Sequence, residues 1–373
     1  MDLPGLIQNM NTTGVFARIV NNPLAAMGTP ARRYLGAELL PEKTVPLNIF
    51  QETAIKYRTV IANDASRFNP VQIKGGAIVG AMLVQLGNHE TGSELTGADY
   101  DALVALLQQS TGSLGTPTVV TPPEMEAMAQ VTNWADMTIN RPLLEKQEKQ
   151  RWDAIVNAQV IRTGDNGFTE TINYPNPSGS RVTAGGQWSN NTYDPYADII
   201  AGAEFLAAKG YTVSRMFAGT PVRSKLSLNL KFQQRVGRIS IQAGTVTGVP
   251  GRVTLDVMNE QFSMDALPPL ELYDLQYRTQ TSSGRFLSSS VFVMVATTGR
   301  DQQIDRADLE PLILPDTIGY YGVGRATGMG TPGRASFVEF RADKPPRLRG
   351  ESWETGFPVI LDPEAIFVIT GIS

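Results

Sequence analysis

Apolar and polar positions change period several times along this chain, and each change marks an element. The clearest helical period lies in TPPEMEAMAQVTNWADMTINRPLLEKQEKQRWDAIVNAQVIRTG (121–164). Trp152, Ile155, Val156 and Val160 share one face, and Gly164 is a natural stop. Thr121-Pro122-Pro123-Glu124 opens the stretch as a capping box with proline near the first turn. Glu145 and Lys149 form an i,i+4 pair in the favoured order, and EKQEKQR reads as a solvated face. Pro142 cannot donate its N–H and crowds the preceding turn, so the pattern predicts a kink or break there. At 1.5 Å per residue the whole would run roughly 60 Å, a length suited to a structural spine.

Before this helix the pattern turns extended. LNIFQETAIKYRTVIAN (47–63) and VQIKGGAIVGAMLVQL (71–86) read as two long strands, with a turn region from Asn63 to Pro70. A two-stranded ribbon is marginal in water and needs something to pack against. Residues 1–46 are punctuated by Pro4, Pro23, Pro30, Pro41 and Pro46, with short apolar pieces such as VFARIV between them. They read as an arm laid along another surface. ELTGADYDALVALLQQ (94–109) predicts a short helix, with Thr96 as N-cap, Asp99 at the third position and Leu103, Leu106 and Leu107 on one face. STGSLGTPTVV (110–120) reads as a linker.

After residue 165 strands and helices mix. FTETINY (168–174) predicts a strand, followed by a Pro/Ser/Gly turn and RVTAGGQW. Asp194-Pro195 caps and opens a helix with Ile199, Ile200, Ala203 and Leu206 inward and Gly210 past its end. YTVSRMFAG reads as a strand, and Thr220-Pro221 starts another helix with Val222 and Leu226 on its face. VTLDVM (253–258), LELYDLQYR (270–278) and VFVMVATT (291–298) read as further strands. The tail alternates in SFVEF and ends in two strand-like runs around Asp362-Pro363. The class is α+β, without repeats at solenoid period.

Composition narrows the chemistry. The chain has 373 residues, 42% of them apolar and only 18% charged, with 35 glycines and 24 prolines, a mixture that favours turns and irregular connections. A net charge of −4 advertises neither nucleic acid nor an anionic membrane as a specific partner. No cysteine is present, which excludes disulfides, thiolate nucleophiles and cysteine-based zinc sites. The start, MDLPGLIQNM, lacks a basic region and an apolar core, so no signal peptide is expected. The longest apolar run, AIVGAMLV (77–84), is far shorter than the roughly 20 residues of a membrane span.

The single histidine, His89, lies in polar, Gly-rich LGNHETGSEL and reads as an exposed loop residue. With no G-x-S-x-G elbow it serves no triad, and metal sites needing two histidines are impossible. Neither a calcium loop nor a Walker-type phosphate loop occurs, and no pair of carboxylates stands out. GYYGVGRATGMG (319–330) places Gly322, Gly324 and Gly328 near a dinucleotide fingerprint. Pro311 and Pro315 interrupt the approach, however, and TPGRASFVEF behind it reads as a strand where a cradle needs a helix N-terminus. No catalytic, cofactor-binding or metal-binding residue is assigned. The glycines read instead as backbone freedom near a domain return.

The order of parts resembles the major capsid proteins of tailed bacteriophages, nearest the lambda type. NPVQIKGGAIVGAMLVQLGNHETGSELTGADYDAL resembles the descending strand of that family's extended loop and the helix after it. RWDAIVNAQVIRTGDNGFTETINYP resembles the end of the spine helix and the next strand. WSNNTYDPYADIIAGAEFLAAKGYTVSRMFAGTPVRSKL resembles the start of the axial domain, and ETGFPVILDPEAIFVITG its closing strands.

The resemblance implies the Hong Kong-type capsid fold. It would consist of an N-terminal arm (1–46), an extended β-hairpin loop (47–92) and a peripheral domain (93–186) with a spine helix over about 122–162. An axial domain (187–334) and return strands of the peripheral domain (335–373) would complete it. It implies a structural subunit that forms hexamers and pentamers of an icosahedral shell around packaged double-stranded DNA. Its partners would be itself, a scaffolding protein, a portal and a cement protein, with assembly in the host cytoplasm and residence in the virion. A nanocompartment shell of the same fold and a tail or attachment protein are the alternatives; a dinucleotide-dependent oxidoreductase is disfavoured.

Overall fold

The structure is a computed structural model. It describes residues 3–16, 33–45, 49–58, 77–95, 97–110, 122–163, 169–237, 239–242, 245–248, 251–279, 282–297, 302–306, 317–342 and 346–373. The elements in chain order begin with α1 (Leu3–Thr12), α2 (Leu35–Leu39), β1 (Glu42–Thr44), β2 (Ile49–Arg58), β3 (Ala77–Gln85), β4 (Gly87–Leu95), α3 (Ala98–Ser110) and α4 (Pro122–Ala135). A π-helical turn, Asp136–Asn140, joins α4 to α5 (Arg141–Asn157). Then come β5 (Gln159–Thr163), β6 (Thr169–Asn173), β7 (Arg181–Thr183), α6 (Pro195–Ala207), β8 (Arg215–Ala218), α7 (Thr220–Leu228), α8 (Leu230–Arg235), β9 (Ile239–Gln242) and β10 (Thr245–Gly248). The chain continues through α9 (Leu255–Met264), β11 (Leu270–Leu272), β12 (Gln276–Arg278), β13 (Ser283–Arg285), β14 (Phe292–Val295), β15 (Gln302–Arg306), β16 (Gly319–Val323), β17 (Ala335–Arg341), β18 (Arg347–Ile360) and β19 (Ile366–Thr370).

The long helix answers the problem posed by Pro142 with a change of winding. Proline at that position removes one hydrogen bond and its ring crowds the carbonyl four residues back. The turn before it widens to the π pattern, in which the Arg141 N–H reaches the Asp136 carbonyl five residues back. The helix then runs on to Asn157, short of the expected stop at Gly164. Ala158 takes left-handed angles (φ 49°) and closes the helix. Val160 therefore lies on β5, which hairpins with β6, and not on the helix. Arg181 covers the helix end: its guanidinium donates to the carbonyls of Ile155 at 2.7 Å and Val156 at 3.0 Å. The Thr121 cap and the Thr96 cap lie outside the described residues.

Two five-stranded sheets organise the body. In the first, β18 is the axis: β17 and β16 pair along one edge, β4 along the other, and β1 joins β16 in parallel. In the second, the order is β11-β8-β14-β19-β7. Phe292, Val293, Met294 and Val295 of β14 are all buried, as a strand covered on both faces requires. Asp194 caps α6 by accepting from the Tyr196 N–H, and Ile199 and Leu206 are buried as the period predicts. A third sheet is the ribbon: β2 pairs antiparallel with β3 from Ile49↔Gln85 to Tyr57↔Ala77, and β15 adds to β2.

Four expectations change. VTLDVM is the start of helix α9, because Leu255, Met258 and Phe262 recur at helical spacing and Thr254 stands at its N-cap. The 1–46 segment packs on its own chain where it is described. Leu3, Leu6, Ile7 and Met10 of α1 are buried in a cluster with Leu103, Val131, Ile139 and Leu348. The expected boundary at 334 is crossed by β16, which belongs to the sheet of β17 and β18. The last strand, β19, belongs to the other sheet, between β14 and β7, so residues 335–373 do not return to one sheet.

Candidate functional site

Two features lie next to each other: a polar seam beneath the first sheet, and the ribbon that grows out of it. The seam forms because one face of α5 carries both kinds of side chain. Trp152 and Ile155 lie on this face, and helical geometry adds Glu148 four residues before Trp152 and Arg151 four before Ile155. EKQEKQR is thus not a solvated face. Gln147 and Glu148 are 0% exposed, and Gln150 and Arg151 are 2% exposed.

Glu148 ties three distant segments together. Its Oε1 accepts from Gly36 N–H (2.9 Å), Trp152 Nε1 (2.8 Å) and Tyr273 O–H (2.6 Å). Glycine at 36 lets the backbone come this close: a Cβ would stand 2.8 Å from the other carboxylate oxygen and push Glu148 aside. Arg151 donates to the Leu40 carbonyl at 3.0 Å and lies over the Tyr321 ring. A second buried carboxylate, Glu354 of β18, accepts from Gln147 Nε2 and Arg334 Nε, both at 2.8 Å. Arg334 also donates to Glu42 of β1. Burial lifts the Glu354 carboxyl above its usual range, while Arg334, though buried, is held charged by Glu354 and Glu42.

The sequence held a signal for this seam. Leu348, Gly350, Ser352 and Glu354 alternate along β18 and are all buried, so Glu354 follows the inward set. His89 joins them. It is not in an exposed loop: it sits on β4 directly opposite Glu354 and is 8% exposed. Gln150 Nε2 lies 3.2 Å from its Nε2, and the Tyr321 O–H donates to Gln150 Oε1 at 2.9 Å.

The ribbon leaves the body at this point. β3 ends at Gln85, Leu86 is buried, and β4 starts at Gly87, so one extended run carries the chain from ribbon to sheet. Among the described residues no strand pairs with the outer edges of β3 and β15. Open edges of this kind are templates for pairing or docking.

The glycine-rich stretch has a different job from the one its motif suggests. Gly319–Val323 is β16, buried throughout, and the chain enters strand β17 at Ala335, with no helix between. A Cβ on Gly319 would meet the Val359 carbonyl oxygen at 2.1 Å, so that glycine serves close strand packing. Of the three motif glycines only Gly328 has a left-handed φ, 82°. Among the described residues no group of three or more potential metal ligands converges, and no helix is long and apolar enough to cross a membrane.

No family model matches this chain, and no curated protein matches it by sequence. Solved structures do. A crystal structure of a protein from an E. coli CFT073 prophage, assigned as its capsid protein, superposes with a TM-score of 0.57 at 12% identity, covering 97% of this chain and 98% of that one. The chain has the Hong Kong-type capsid fold. A phage-related protein of Bordetella bronchiseptica RB50 aligns at TM-score 0.49 and 12% identity over 92% of this chain and 93% of the other. An encapsulin complex of Synechococcus elongatus PCC 7942 aligns at 0.39 and 10% identity over 96% and 95%. Within the capsid fold, the polar seam fastens the sheet of β18 to the long helix, and the ribbon stands at its margin.

Proposed function

We propose that this chain is the major capsid protein of a tailed bacteriophage, a lattice subunit that builds hexamers and pentamers of a closed icosahedral shell around packaged double-stranded DNA. The observation that carries the reading is the ribbon on a body of capsid fold. Three strands from two distant chain segments pair with one another and have open outer edges among the described residues. In this reading the ribbon is the extended loop that lies across a neighbouring subunit, and the long helix with the first sheet is the peripheral domain. The second sheet with α6, α7 and α9 forms the axial domain at the symmetry axes. The near-neutral charge suits a wall that must not cling to packed DNA, whose pull on Lys/Arg stripes is strong. Scaffolding protein, portal and cement protein are the expected partners, and the virion is the expected location.

Electron microscopy of the purified chain, alone and co-expressed with a scaffolding protein, tests this. Closed shells are expected. A monodisperse monomer under every condition, scaffold included, overturns the reading. Replacing 50–84 by a short Gly-Ser linker should leave a folded protomer and abolish closed shells; normal shells from that variant would show that the ribbon is not the assembly element.

A further inference from the structure

His89 is the chain's one histidine, and it stands two residues into the strand that carries the ribbon into the body. Its ring is held by a directional relay. The Tyr321 O–H donates to Gln150 Oε1, which leaves the Gln150 amide N–H to face His89 Nε2. The ring also hydrogen-bonds the backbone of Gly356, the residue paired with Gly87. With Gln150 turned as its bond to Tyr321 places it, the amide N–H has an acceptor on the ring only while Nε2 carries no proton. A proton there would set N–H against N–H.

The surroundings give such a proton little help. From α5, Lys146 faces the ring; from β5, Arg162 does, packed over Gly87 and paired with Glu170. Farther along α5, Lys149 is paired with Asp153. From β18 comes Glu354, whose Oε2 is held by Gln147 and Arg334; from β16 comes Tyr321, beneath the Arg151 guanidinium.

We propose that His89 is an acid-released pin: neutral, it fastens the root of the ribbon to the long helix, and protonated, it lets β4 and the ribbon behind it open from the body. The proposal concerns the protomer and does not rest on the shell reading. Burial first, then the Lys146 and Arg162 charges, hold the imidazole down to about 3 from its ordinary 6.5. A depressed histidine contributes stability above its free value and loses it as pH falls toward the folded one. The opened form, with free imidazole, therefore gains about tenfold per pH unit below 6.5, or about 100-fold by pH ~4.5.

Because there is a single histidine, one ¹³C-labelled imidazole signal in the full-length chain reports its titration without assignment. The native signal should stay neutral down to pH ~5 and titrate near 6.5 in urea. Hydrogen exchange, corrected for intrinsic rates, should show the amides of 87–95 opening about 50-fold more at pH ~4.5 than at pH 6.5, where the free imidazole is already half protonated, with β8 and β14 unchanged. His89→Gln should flatten that rise to within about threefold. If His89→Gln fails to fold, Lys146→Met provides the second variant: removing the adjacent cation should raise the native titration and shrink the rise. A native titration above pH ~6 overturns the proposal. So does a rise that persists in His89→Gln, or tightening of 87–95 in acid, the result expected if protonated His89 pairs with Glu354.

Discussion

The two main sheets of this protein are held by opposite chemistries. The second is dry: β14 is buried on both faces, Phe217 and Phe292 are fully enclosed, and α6 approaches so closely that a Cβ on Gly202 would meet the Phe367 ring at 2.6 Å. The first is fastened to its long helix through carboxylates, amides and guanidinium groups that came out of water in pairs. Apolar burial is non-directional and rewards area. A buried polar network costs desolvation and returns little net stability, but it tolerates only one arrangement. The difference assigns the dry sheet to stability and the polar seam to orientation: it fixes how α2, β1 and the ribbon root sit on the long helix.

The strongest way to break the comparison is at Trp152, where both chemistries meet. Its ring packs on Phe217 and Tyr273, and its Nε1 donates to Glu148. Trp152→Ala should cost about 5 kcal/mol, the upper range for a buried aromatic, because Glu148 also loses a donor. Phe292→Ala, in the dry sheet, should cost about 3–4 kcal/mol from packing alone. Urea unfolding of the unassembled chain measures both. A Trp152 change within roughly 0.5 kcal/mol, as at a neutral surface site, would remove the helix face from the core.

Arg334→Ala comes next, because it strands Glu354 at 0% exposure without its cation. A loss of about 3 kcal/mol is expected at neutral pH. The deficit should shrink in acid: burial has already raised the Glu354 carboxyl, and a protonated partner needs no cation. Unfolding at pH 7 and pH 5 checks this. A deficit that does not shrink in acid would show that Arg334 serves a group other than Glu354.

How much of this was legible follows the same division. The ribbon strands, the disturbed winding before Pro142, the Asp194 cap and the burial of Trp152 all follow from period and turn chemistry, which are local. The seam did not, because hydropathy treats Gln147, Glu148 and Arg151 as solvated unless their positions are measured from Trp152. His89 was missed for the same reason: its neighbours along the chain are polar, while the groups that enclose it come from β18, α5 and β16. The third ribbon strand, β15, lies more than 240 residues from β2, and no local pattern reports such a pairing. VTLDVM misled because a six-residue window favours strand, whereas Leu255, Met258 and Phe262 show their period only over eight.

Arg181 tests how the long helix ends. The guanidinium is half-buried on the last carbonyls, and burial lowers it to about 10, so it stays charged at neutral pH. Arg181→Ala should cost about 1–2 kcal/mol and speed hydrogen exchange in the last turn of α5, leaving α4 unchanged. Equal effects on both segments would mean that Arg181 supports the fold at large instead of this end.

The smallest effect should come from Lys149, on the other side of the same helix. Its ammonium donates to Asp153 one turn later and stands 5.8 Å from the Tyr277 ring, but it is about a third exposed. The order is lysine before aspartate, the weaker of the two orientations on a helix, and both groups reach solvent that screens them. Lys149→Ala should therefore change stability by about 0.3 kcal/mol, in contrast to the kilocalories expected two residues away at Arg151, whose side chain is enclosed. Paired urea unfolding at low and high salt decides it. A salt-sensitive loss above about 1 kcal/mol would mean that the seam's electrostatics extend through Lys149 to the surface, and the boundary between its buried and solvated charges would move outward by one helical turn.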